Sequence, residues 1–262
     1  MRRIKKGDII GMIVAADIET ARVFNYYGLD FFSKGNRTLE EACINDNVPI
    51  VSLLDDLSKV GEAGKRAPDF LNMSIRSLAH YILRKHHRFA ESRLIYIKHA
   101  LNGILKEFTY ETDIITPIKS AFDDLSLQLT IQMNYEEFLI YPAIEKMTRK
   151  NKAVSSSEHR KIMQHLRYMK EESSKDVTQF KIIADVTRNY TNKGQDEALY
   201  DIAYRSMKEL EEDVKIHMHL ENNVLCARLS NYIPMKETAR NQDQREMQWF
   251  NSMASNYDDG HN

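Results

Sequence analysis

The sequence predicts an all-α protein, and three observations carry the prediction. Four long stretches repeat apolar residues at alternating steps of three and four, the spacing of one helical face. None of these stretches shows β-like alternation. Only nine Gly and five Pro interrupt 262 residues, as expected of long helices joined by short loops. The expected architecture is an up-and-down four-helix bundle preceded by a small three-helix unit. Residues 1–62 would form the small unit, 70–230 the bundle and 231–262 a polar tail, with the turn-rich run GEAGKRAP from Gly61 to Pro68 as linker.

In the small unit, Ile10, Val14, Ile18 and Ala21 share one face, which predicts a first helix running to Tyr27 with Gly28 as its stop. Thr38 followed three residues later by Glu41 is a capping box that opens a second helix through Ala42 and Cys43. Asn47-Val48-Pro49 ends it, and Ile50 to Val60 reads as a third. Arg22, Lys34 and Arg37 are too sparse for a DNA-binding face, so an interaction or accessory unit is the better expectation.

The first bundle helix runs from about Ser74 to Phe108, with Leu83, His87, Ala90, Leu94, Ile97, Leu101, Ile104 and Phe108 on its seam. The second spans about Pro117 to Met147, with Leu125, Leu129, Gln132, Met133, Glu136, Ile140 and Ala143 facing inward. The third opens at Ser156 or Ser157, either of which can cap it, and carries His159, Ile162, Met163, Leu166 and Met169. Lys175 to Tyr190 extends or follows it, and Asn192-Lys193-Gly194 is a turn. The fourth runs from about Asp196 to Leu229, where Leu210, Val214, His217, Glu221, Val224 and Leu225 share a face.

Each helix thus places a polar residue on a face that should be apolar: His87, Glu136, His159, His217 and Glu221. A buried carboxylate is costly unless paired, and imidazoles and carboxylates together suit iron, manganese or zinc. Taken singly, each has a bland account as a hydrogen-bonded core residue; their recurrence on four helices favours a metal site. Of the remaining histidines, His165 and His219 fall off their seams and are expected to face solvent. His99 is read as surface and His261 lies in the tail. His80 is expected to support the site, and His86 would replace His87 if the helical phase were shifted by one.

A net charge of −1 gives no field favouring nucleic acid or an anionic membrane. No run of apolar residues is long enough to span a bilayer. The short apolar run Ile9 to Ala16 is followed at once by Asp17 and Glu19 with no cleavage site, so a signal peptide is not expected. Cys43 and Cys226 are too few for a disulfide scaffold or zinc ribbon and read as thiols of a reducing, cytoplasmic compartment. No nucleophile elbow, zincin motif or phosphate loop is present, which leans against an enzyme.

The motifs resemble those of the repair-of-iron-centres proteins, di-iron hemerythrin-like (HHE-domain) bundles with a small ScdA-like N-terminal domain. His217-Met-His-Leu-Glu221-Asn-Asn-Val-Leu is similar to the family's H-x-x-x-E-N-N-V-L-F-P. Glu136-Glu-Phe-Leu-Ile-Tyr-Pro142 is similar to E-E-x-x-L-F-P, Ser157-Glu158-His159 to the E-H that starts the third helix, and YILRKHH ending at His87 to the first ligand helix. Gly28 to Cys43 resembles the accessory domain's D-Y-C-C-G-G-K-x-T-L-x-x-A.

The resemblance implies a non-haem iron protein with His87, His159 and His217 as terminal ligands and Glu136 and Glu221 as carboxylate ligands. Its departures matter equally. The family's cysteine pair is Phe31-Phe32 here, and two further family histidines are replaced by Phe108 and Gln132. Five ligands remain, enough for one well-held ion or for two with one poorly coordinated. The implied function is protection or repair of iron–sulfur clusters under nitrosative or oxidative stress, with damaged iron–sulfur proteins or a regulatory protein as partner and a homodimer compatible with it. The competing readings are a metal-poor scaffold that docks partners around Phe31 and Phe32, and an O2 or NO sensor.

Overall fold

The computed structural model describes residues 4–60, 68–107, 112–148, 156–192 and 198–232, and every regular element among them is helical. Their order is α1 (Ile10–Ala16), α2 (Thr20–Tyr26), α3 (Leu39–Asn45), α4 (Ile50–Val60), α5 (Ile75–Ile82), α6 (Arg88–Glu107), α7 (Thr112–Tyr135), α8 (Tyr141–Thr148), α9 (Ser156–Val186), α10 (Ala198–His219) and α11 (Cys226–Tyr232). Single π turns join α5 to α6 (Leu83–His87), α7 to α8 (Glu136–Ile140) and α10 to α11 (Leu220–Leu225), so these pairs are continuous arms.

The expected first helix is two. Asp17 adopts an extended conformation, and its carboxylate accepts from the Glu19 amide while its carbonyl accepts from the Thr20 hydroxyl. An Asp that satisfies the next helix start in this way competes with helix continuation. Gly28 does end α2: at φ 69° it closes a Schellman turn, with Leu29 N–H on the Phe24 carbonyl and Gly28 N–H on Asn25. The Thr38–Glu41 capping box is formed in both directions.

In the bundle, α6 packs against α10 and α7, and α7 against α9. Two apolar clusters fill the interior. One joins the small N-terminal helices (Ile10, Phe24, Leu53, Leu57) to the bundle through Ala90, Leu129, Met133, Val214 and Met218. The other gathers Ile75, Leu78, Ile82, Ile140, Ile144, Ile162, Leu166, Leu220 and Val224. Along each of the three arms with π turns, the change from one cluster to the other falls at the polar residues.

Phe31 and Phe32 are 0% and 5% exposed, so they are core rather than a docking surface. Asp30 holds their loop by accepting from the Phe32 and Ser33 amides at 3.1 and 2.8 Å. Asn223 then donates to the carbonyls of Phe31 and Phe32 at 3.2 and 3.0 Å, tying the N-terminal loop to the arm that carries Glu221. The contact is close: a Cβ on Gly35 would stand 2.5 Å from the Phe31 carbonyl oxygen and 2.8 Å from the Asn223 amide.

Candidate metal centre

The three π turns bring the polar residues to one level. A π turn fits five residues where an α-helix has four and so sets the following phase back by roughly 100°. The inward face therefore moves from Ile82 to His87 in the first arm, leaving Leu83 half-buried, and from Glu136 to Tyr141 and Ile144 in the second, leaving Ala143 half-buried. His87 ends its π turn, Glu136 begins the next, and Glu221 lies in the third, one turn beyond His217.

His87, Glu136, His217 and Glu221 are each no more than 2% exposed. One ligand atom from each lies within 4.8 Å of all the others. His87 Nε2 and Glu136 Oε2 are 3.2 Å apart, His217 Nε2 and Glu221 Oε2 also 3.2 Å, and His217 Nε2 and Glu136 Oε2 3.7 Å. Glu136 Oε2 and His217 Nε2 nonetheless lack hydrogen-bonding geometry to any partner. Opposite ligands of an iron- or zinc-sized ion lie about 4.0–4.4 Å apart, so a slight contraction would let these four atoms share one. The donor set fits a single ion.

The surrounding hydrogen bonds orient the donors. His87 Nδ1 is 2.9 Å from Glu137 Oε1, whose other oxygen accepts from Arg88 at 2.6 Å. A His87 that donates its Nδ1–H to Glu137 would leave the Nε2 lone pair facing the other donors, as a metal ligand requires. Tyr141 donates to Glu221 Oε1 at 3.0 Å, and its oxygen lies 3.2 Å from His87 Nε2. Gln132 donates to Glu136 Oε1 at 3.0 Å, leaving Oε2 on the ligand side.

Burial opposes a charge on Glu136, but the His217 and His87 imidazoles outweigh it and hold the carboxyl below its usual range. Burial, with the nearby Glu136 charge, raises Glu221. Burial likewise opposes a proton on His217, yet Glu221 and Glu136 raise its proton affinity well above that of ordinary imidazole. Burial, then the carboxylates, keep the Tyr141 phenol protonated.

Four of the five expected ligand residues are thus together. The backbone of His159 lies in the first turn of α9, but its side chain is outside the described residues, as are Phe108 and the tail with His261. His80 does not support the cluster: it is half-buried and binds Glu145 at 2.6 Å. His86 is buried beside His87, but it bonds to Asp213 at 3.0 Å and stacks on the His217 ring at 6.0 Å. His99 is exposed as expected.

The solvent-facing expectation fails for His219, which is 0% exposed beneath the Phe31 carbonyl. His165 is half-buried against Tyr135. The sequence reading missed Tyr141 because it carried one helical phase through the π turn, and missed Glu137 and His219 because their partners, His87 with Arg88 and the Phe31 carbonyl, come from other elements. The repeated pairing of a polar seam residue with a polar neighbour (His86-His87, Glu136-Glu137) was the available signal.

Residues 6–61 match the ScdA_N family, described as a domain of unknown function (DUF542). The chain is 21% identical over 227 residues to the iron-sulfur cluster repair protein ScdA of Staphylococcus haemolyticus, covering 87% of this chain and 100% of that one. It is 23% identical over 223 residues to the iron-sulfur cluster repair protein YtfE of Edwardsiella ictaluri, covering 84% and 95%. To a probable iron-sulfur cluster repair protein of Haemophilus influenzae it is 27% identical over 217 residues, covering 80% and 91%. The chain thus carries an ScdA_N match at one end and is similar, along most of its length but at low identity, to proteins named as iron–sulfur cluster repair proteins.

Proposed function

We propose that this protein binds one non-haem iron ion in the service of iron–sulfur cluster repair. The observation that carries the reading is the convergence of His87, Glu136, His217 and Glu221 with two ligand atoms left without hydrogen-bond partners. Ferrous iron held by two imidazoles and two carboxylates would keep exchangeable positions, the chemistry needed to take up, react or hand on iron. The chain's own part is to hold four donors at one level, exclude water and fix their orientation through Glu137, Gln132 and Tyr141. His159 is a further candidate donor. Gln132, spent on Glu136, supports a degenerate site rather than a di-iron one.

In this reading the ScdA_N match ending at residue 61 marks the first domain, residues 70–230 form a hemerythrin-like bundle and 231–262 a tail. The clients are damaged iron–sulfur proteins in the cytoplasm. Two described features agree with that compartment: neither cysteine is in a disulfide, and no described helix is long and apolar enough to cross a membrane.

The test is anaerobic loading with ferrous iron, desalting and elemental analysis, followed by reactivation of an oxidant-damaged iron–sulfur dehydratase. About one iron per chain is expected, with near-complete loss in Glu136→Gln and Glu221→Gln and no reactivation by either variant. Absence of retained iron would favour the metal-free scaffold, in whose support the two imidazoles already lie beside the two carboxylates. A stoichiometry of about two, with a spectrum that changes in air or NO, would favour the sensor.

A further inference from the structure

Tyr141 joins the polar layer through backbone geometry. In the π turn its N–H bonds to the Glu136 carbonyl, five residues back, which stacks position 141 over Glu136. An α-helical turn would point it about 140° away.

That hydroxyl is placed with some economy of contact. The ring is 6% exposed and tilts over the His87 ring at 5.5 Å. Its hydroxyl donates to Glu221 Oε1 at 3.0 Å, while Glu221 Oε2 stays 3.2 Å from His217 Nε2. The two carboxylate oxygens are therefore divided: one is held by the phenol, the other stands among the ligand atoms. The arrangement parallels Glu136, whose Oε1 accepts from Gln132 and whose Oε2 faces the imidazoles. Tyr141 also lines, with Arg76, His80, Glu137 and Phe138, a cavity of about 550 Å3 on the outer side of the layer.

We propose that Tyr141 is a positioning residue of the metal centre: its hydroxyl holds Glu221 to a single coordinating oxygen, Oε2. The proposal rests on the one-ion reading above. Without the donor, Oε1 is a buried carboxylate oxygen with nothing to bind, and it turns towards the ion. Glu221 then chelates through both oxygens, and the position that a monodentate carboxylate keeps open is lost.

Cobalt(II) is the probe, because its visible absorption reports ligand number and geometry directly. Wild type and Tyr141→Phe are titrated with Co(II) under chelator-free conditions. The expected result is about one ion per chain in both, with an altered affinity and a changed d–d spectrum in the variant as a second oxygen of Glu221 joins the ligand set. A role in packing alone would leave that spectrum unmoved. The metal-free melting curve shows whether the variant folds; if it does not, Tyr141→Leu, which carries no hydrogen-bond donor, takes its place. Equal affinity and an identical spectrum overturn the proposal while leaving the one-ion reading intact. Failure of the wild type to bind Co(II) overturns both.

Discussion

His219 shows how much one misplaced residue can tell. It lies two positions from both His217 and Glu221 yet faces the other way, with Nδ1 3.4 Å from the Phe31 carbonyl. Burial lowers its pKa from 6.5 to about 4. The unfolded chain therefore takes up a proton near pH 6.5 that the folded one refuses until about pH 4. Stability is fully present above pH 6.5 and declines as pH falls through that window, by roughly 3 kcal/mol in all. In metal-free protein, His219→Gln should flatten the pH dependence of the melting temperature between those limits. An unchanged slope would mean that His219 is protonated in the folded protein.

At the scale of elements, π turns and a glycine contact decide the site. The π turns let three arms turn His87, Glu136 and Glu221 into one layer while the apolar seams on either side stay closed. Removing one exposed residue, Leu139, from the middle turn should restore an α-helix with Tyr141 four residues after Glu136 and still over it. Helical content by circular dichroism and Co(II) affinity should then both persist, and loss of binding would mean that the π turn itself is needed to hold the layer. Gly35→Ala probes the other contact. Its Cβ would meet the Phe31 carbonyl oxygen and Asn223 at under 3 Å, so a cost of about 1–3 kcal/mol is expected in denaturant unfolding. If Gly35→Ala is neutral, the N-terminal loop is not pressed against the Glu221 arm.

At the scale of the molecule, the candidate metal centre lies between two apolar clusters, one of them shared with the N-terminal helices. An ion held by His87, Glu136, His217 and Glu221 would couple three arms. With free Co(II) at about one hundred times its dissociation constant, binding to the folded state alone adds about 2.7 kcal/mol, or roughly 5–10 °C in melting temperature. Glu221→Gln should abolish the shift. A shift that survives in this variant would place the ion elsewhere.

The helical class, the four bundle segments, the Thr38 capping box, the Gly28 stop and His87, Glu136, His217 and Glu221 as inward residues were legible in the chain. Capping is local, and a polar residue on an apolar seam stands out at any point along it. What the tertiary structure decided is which polar groups meet. A π turn leaves little trace in composition but changes the phase of everything beyond it. That shift brought in Tyr141 and displaced Leu83 and Ala143 from the seam. His219 and Phe31-Phe32 were read as exposed or available because their covers come from elements nearly two hundred residues apart, a contact no local pattern encodes. Ligand types belong to the sequence; their convergence, and the hydrogen bonds that aim each donor, belong to the packing.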